Sequence, residues 1–104
     1  MASEETERQI EHLRTRKGVK CVIVMNLQGE LVTTSVNEKS LDDEAVEAYH
    51  RLAYQILSGL KASIKQYSAQ ENLQYTRVRL KDSEVVIVPE EKFVVAVIQD
   101  PTAA

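Results

Sequence analysis

The chain has 104 residues and a formal charge of −3, with 13 Lys and Arg interspersed among 16 Asp and Glu. That length fits one domain, taken as residues 1–104, with a small core that a dimer would help by hiding further apolar surface. The acidic balance excludes a nucleic-acid-binding face, which needs a basic excess, and argues against an anionic membrane as partner.

A single cysteine, Cys21, excludes an internal disulfide and fits a reducing compartment. The opening MASEETERQIEHLR is charged throughout and lacks the apolar segment of a signal peptide. No apolar run approaches the roughly 20 residues of a membrane span. A soluble intracellular protein is expected.

Residues 3–17 place Ile10 and Leu13 among Glu, Arg and Gln, which predicts a short, mostly solvated helix ahead of a core over 18–101. Gly18 stands where a helix C-terminus wants positive φ. Val19–Asn26 (VKCVIVMN) is a nearly continuous β-branched run, the pattern of a strand covered on both faces. Asn26-Leu27-Gln28-Gly29 supplies turn residues, and Glu30–Val36 (ELVTTSV) predicts a second, alternating strand.

Ser40 to about Tyr67 is the long element. Ser40 is a good N-cap, Asp42, Asp43, Glu44 and Glu47 crowd the first turns, and Lys61 and Lys65 stand near the end, complementing the helix dipole. Ala45, Tyr49, Leu52, Ile56, Leu60, Ile64 and Tyr67 step by threes and fours as one buried stripe, which Val46, Ala53 and Leu57 widen beyond what one sheet face requires. Three strands close the chain: Leu73–Leu80, which alternates and carries Arg77 and Arg79, then Glu84–Val88 and Lys92–Ile98, almost wholly apolar.

Short turns make strands 1 and 2, 3 and 4, and 4 and 5 neighbours. With strands 1, 4 and 5 doubly buried and strands 2 and 3 at the edges, only the order 2-1-5-4-3 satisfies both conditions. The expected fold is therefore a three-layer α/β/α sandwich, α-β-β-α-β-β-β, with one helix on each face of an antiparallel sheet. Strand 3 is then an exposed edge beside a helix with apolar surface to spare. A two-fold partner would bury both, unless Arg77 and Arg79 are there to block edge pairing.

The stretch Gly18-Val19-Lys20-Cys21-Val22-Ile23-Val24-Met25-Asn26 with Gly29 resembles the opening of the roadblock-type dynein light chains. Glu71-Asn72-Leu73 through Arg77-Val78-Arg79 is similar to that family's third strand, and Phe93–Pro101 to its ending. The resemblance spans roughly residues 8 to 101, with Cys21 where the family often has glycine. It implies the roadblock fold, related to that of profilin, in a homodimer that joins two sheets into a continuous ten-stranded one. On that reading the interface takes Tyr49, Leu52, Ala53, Ile56, Leu57 and Leu60 from the helix and Tyr75, Arg77 and Arg79 from the edge strand. The implied function is that of a non-catalytic light chain. Its dimer binds the dynein intermediate chain and supports motor assembly and cargo attachment on microtubules, in the cytoplasm, with the cytoskeleton, or in the ciliary or flagellar axoneme. Other superfamily members regulate or scaffold small GTPases, which is the alternative. Which dynein would be served, and whether a paralogue replaces the second copy, stay open.

No Gly-rich phosphate loop or GK[ST] motif occurs, and no catalytic residue, cofactor or metal site is expected. His12 and His50 lie on different helices and make no zinc spacing with Cys21. A Cys-His nucleophile pair is conceivable, but Cys21 reads as a small core residue. The acids from Asp42 to Glu47 read as solvated first-turn residues rather than a metal site. Tyr49 and Tyr54 are candidate interface anchors, although Tyr49, on the main stripe, is as well placed to pack in the core; His50 could make pairing pH-sensitive at the seam, and Gly59 either admits a close helix or is incidental.

Overall fold

The computed structural model describes residues 4–101. The first helix, expected from residue 3, is seen from its second residue as α1, Glu4–Arg14; position 3 lies outside the described residues, as do 1–2 and 102–104. α1 stops three residues earlier than expected. Thr15 N–H still reaches the Glu11 carbonyl, but Arg16 N–H turns to Leu13, and Gly18 at φ 86° reverses the chain into β1, Val19–Asn26. The Asn26 side chain then organises the turn, its Oδ1 accepting from the backbone N–H of Gln28 and Glu30 at 2.9 Å each, with Gly29 at φ 89°. β2 follows as Leu31–Val36.

α2 spans Asp43–Tyr67 and is capped by Asp42 rather than Ser40. The Asp42 carboxylate accepts the Ala45 N–H at 2.8 Å and also meets the positive end of the helix dipole, which a serine hydroxyl does less well. Leu41 before the cap and Val46 in the second turn both pack on the core, the arrangement of a hydrophobic staple. Ser68 ends the helix, its N–H returning to the Ile64 carbonyl at 2.9 Å.

The remaining strands are β3 (Thr76–Arg79), β4 (Glu84–Pro89) and β5 (Phe93–Gln99). One antiparallel sheet carries the order β2-β1-β5-β4-β3, as the strand types predict. β3 is half the expected length, and the cause lies in its partner. Leu80 N–H bonds to the Ser83 carbonyl, so the bonded pairs above it are Val78 with Val85 and Thr76 with Ile87. The next would be Gln74 with Pro89, which has no N–H to give.

The faces separate cleanly. Toward α2 point Cys21, Ile23, Met25, Val85, Ile87, Val94, Ala96 and Ile98, packed with Ala53 and Leu57. Toward α1 point Val22, Val24, Val95 and Val97, packed with Ile10 and Val19. β1 and β5 are doubly buried as expected. β4 is not: Val85 and Ile87 are buried, but Val86 and Val88 are only half-buried. α1 has 11 residues and two apolar side chains over the sheet, too few to reach past β5.

Candidate interaction surface

α2 divides lengthwise. At about 100° per residue, Ala53 and Leu57 point straight into the sheet, and Leu57 keeps only 3% of its surface exposed. Both lie inside the protomer's own core and have no surface to give a partner, although the sequence pattern groups them with the interface. Tyr49, Leu52 and Ile56 lean to one side. They are half-buried against the core, and the Tyr49 hydroxyl lies 3.0 Å from Oγ of the buried Ser83, in the β3–β4 turn. This flank therefore faces the β3 edge, and half-buried Leu60 is close to it.

His50 and Tyr54 lean the other way. The Gly29 carbonyl accepts from His50 Nε2 at 2.7 Å, and the Tyr54 ring packs so closely on Gly29 that a Cβ there would run into it. These two side chains fasten the β1–β2 turn to the helix. Neither stands at the flank beside β3, so Tyr54 is a seat for Gly29 rather than an anchor there, and His50 is remote from the expected seam. Both lie on the opposite side of a helical wheel from Leu52, which is the signal that separates them.

The wheel shows a second asymmetry. Every charged residue of α2 (Asp43, Glu44, Glu47, Arg51, Lys61 and Lys65) falls on the side away from β3 or outward. The flank toward β3 carries Ala45, Ala48, Tyr49, Leu52, Ile56, Gly59, Leu60 and Ser63 with no charge over its full length. At Gly59 a Cβ would meet nothing. Tyr67 ends this flank with 84% of its surface exposed, and Tyr75, just before β3, is 64% exposed. Tyr67 belongs with this surface, although its spacing alone assigns it to a buried stripe.

Arg77 and Arg79 pair across to Val86 and Glu84 and so share the α1 face of the sheet. Arg77 Nε lies 3.6 Å from Glu84, whose Oε1 also accepts from Gln99 Nε2 at 2.8 Å. Their side chains stand off the sheet plane and leave the backbone edge of β3 open.

Among the described residues, the titratable groups held away from their ordinary values are Glu11, Arg14 and Cys21. Burial pushes the Cys21 thiol up to about 11, which removes the thiolate at neutral pH. A hydrogen bond from exposed Arg14 holds Glu11 low, and the same pair raises Arg14. Among the described residues no group of three His, Cys, Asp or Glu could hold a metal, and no helix is long and apolar enough to cross a membrane.

A small α/β sandwich offering a sheet edge and an uncharged helix flank is an interaction module in form. The chain belongs to the Roadblock/LC7 domain family, whose model matches residues 5–100. Among solved structures it is similar to a Roadblock/LC7 domain from Streptomyces avermitilis, at 11% identity and a TM-score of 0.75, covering 91% of this chain and 77% of that one. It is also similar to MglB of Myxococcus xanthus (12% identity, TM-score 0.72, 98% and 82% covered). The gliding protein MglB from Thermus thermophilus superposes likewise (12%, 0.74, 100% and 79%). At these identities the likeness is one of fold.

Proposed function

We propose that this protein is a non-catalytic cytoplasmic scaffold that works as a two-fold dimer and holds a small GTPase. The observation that carries the reading is the charge-free flank of α2 lying beside the open edge of β3. Burying it against a second copy would remove Leu52, Ile56, Gly59, Tyr67 and Tyr75 from water and extend the five-stranded sheet into ten strands. Such an interface should exceed ~1,000 Å² of buried surface. A structure solved as "MglB with tetrameric arrangement", 13% identical with a TM-score of 0.74, supports self-association on this fold. The GTPase partner rests on the superfamily resemblance and on the likeness to the gliding proteins.

A second reading, a light chain on the dynein intermediate chain, is favoured by a specific observation: Gly18–Asn26, Glu71–Arg79 and Phe93–Pro101 resemble dynein light-chain segments in the right order and spacing. One experiment separates the two. Immobilised protein is offered candidate small GTPases loaded with GDP or a non-hydrolysable GTP analogue, and an intermediate-chain peptide is titrated by calorimetry. Nucleotide-dependent capture with no peptide heat supports the first reading; micromolar peptide binding without capture replaces it with the second.

A further inference from the structure

β3 alternates Thr, Arg, Val and Arg, and its register sets both arginines on the α1 face of the sheet, opposite Val86 and Glu84 of β4. The two are not equivalent. Arg77 is engaged, its Nε 3.6 Å from Glu84. That carboxylate is largely buried and also accepts from Gln99 Nε2. Arg79 is exposed, and among the described residues no carboxylate pairs with it. The nearby charges do not compensate it. Lys81 and Asp82 of the following turn cancel one another, and Arg16, which lines this face near Gln99, is also basic.

In the proposed dimer, on which this inference rests, β3 meets a second β3 in antiparallel fashion. Only residues whose N–H groups point outward can form its hydrogen-bonded pairs, and in β3 these are Arg77 and Arg79. The register centred on Val78 uses both and stays inside the strand. It sets Arg77 of each copy opposite Arg79 of the other, about 5.5 Å apart at Cα and on one face. The two Arg79 residues then lie diagonally, roughly 9 Å apart at Cα, close enough for both long side chains to reach one small anion. Like charges directly opposite destabilise a strand pair, and arginine cannot lose its proton to relieve the repulsion. The two Glu84 carboxylates answer the two Arg77 side chains. Both Arg79 guanidinium groups remain, each a planar fork that suits phosphate oxygens.

We infer that the dimer seam binds one phosphate-type anion between the Arg79 side chains of the two copies, so that anion binding and pairing of the β3 edges are linked. The arginines oppose pairing while the anion is absent and favour it once the anion is in place. A single protomer brings only one such fork, so the site exists only in the dimer.

The test uses the full chain, with pyrophosphate as the probe and chloride at matched ionic strength as the reference. Sedimentation over a dilution series should show the dimer dissociation constant falling at least about tenfold at ~5 mM pyrophosphate. Calorimetry should count one pyrophosphate per two chains. Arg79→Gln should keep the circular dichroism, dimerise in chloride at least as tightly as the unaltered chain, and ignore pyrophosphate; a general salting effect would persist in it. Leu52→Glu, which puts a charge on the α2 flank and should leave a monomer, should give no binding heat. Three results would overturn the inference and leave the dimer standing: equal dimer affinity in the two salts, an Arg79→Gln variant that tightens as much as its parent, or pyrophosphate bound by the Leu52→Glu monomer. A chain that is monomeric in chloride and pyrophosphate alike would refute the dimer itself, and the inference with it.

Discussion

Leu52→Glu puts a carboxylate in the middle of the uncharged α2 flank. In an isolated protomer the substitution costs part of one leucine's burial, about 1–2 kcal/mol, because Leu52 is only half-buried and the longer carboxylate reaches water. In a two-fold dimer the same change appears twice, since each copy presents the same patch, and each charge is desolvated without a partner. A buried unpaired charge costs several kcal/mol. Even ~4 kcal/mol over both copies weakens association roughly a thousandfold, at 1.4 kcal/mol per decade. Sedimentation velocity should therefore show a folded monomer, with native-like circular dichroism, at concentrations where the unaltered chain is dimeric. Arg51→Glu is the control. It reverses a charge on the other side of the same helix and loses only the exposed Glu47 pair at 2.9 Å, about 0.3–0.5 kcal/mol, and the dimer should persist. A dimeric Leu52→Glu protein, or a monomeric Arg51→Glu one, would refute the assignment of the seam.

Asp42→Ala should lower stability by about 1 kcal/mol in denaturant titration, while Ser40→Ala should be nearly silent, because the cap is Asp42. Gly59→Ala in the monomeric Leu52→Glu background should stabilise by about 1 kcal/mol, since the added methyl meets nothing; a loss would place Gly59 against its own protomer. Gly29→Ala should destabilise by more than about 1 kcal/mol, through both its φ of 89° and its collision with the Tyr54 ring. Cys21, neutral until pH approaches about 11, should resist iodoacetamide at pH 8 in native protein and react at once in guanidinium; rapid native labelling would contradict its burial.

Strand order can be read from the chain because burial leaves a compositional trace. VKCVIVMN and KFVVAVI have apolar side chains on both faces, ELVTTSV on neither consistently, and short turns do the rest. The cap falls two positions later than the sequence suggests because Ser40 and Asp42 both suit the role, and only the Asp42–Ala45 hydrogen bond chooses between them. β3 is short because of Pro89, a residue in a different strand, and the effect depends on which backbone groups face which neighbour. The composition of β4 predicts cover on both faces that α1 is too short to supply, so its half-buried face is a mismatch between two elements rather than a feature of either. For the seam, periodicity selects the residues but merges two directions: Ala53 and Leu57 point inward, Leu52 and Ile56 sideways. The partner leaves still less trace, since complementarity belongs to two chains.

In β3 the N–H groups of Thr76 and Val78 face β4, so those of Arg77 and Arg79 face outward. If two sheets join at this edge, the outward amides are hydrogen-bonded in the dimer and bare in the monomer. Residue-resolved hydrogen exchange should then show Arg77 and Arg79 protected about as well as Val78 in the unaltered protein, with that protection lost in Leu52→Glu while Val78 keeps its own. Fast exchange at Arg77 and Arg79 in a protein that sediments as a dimer would contradict pairing along β3 and with it the continuous sheet.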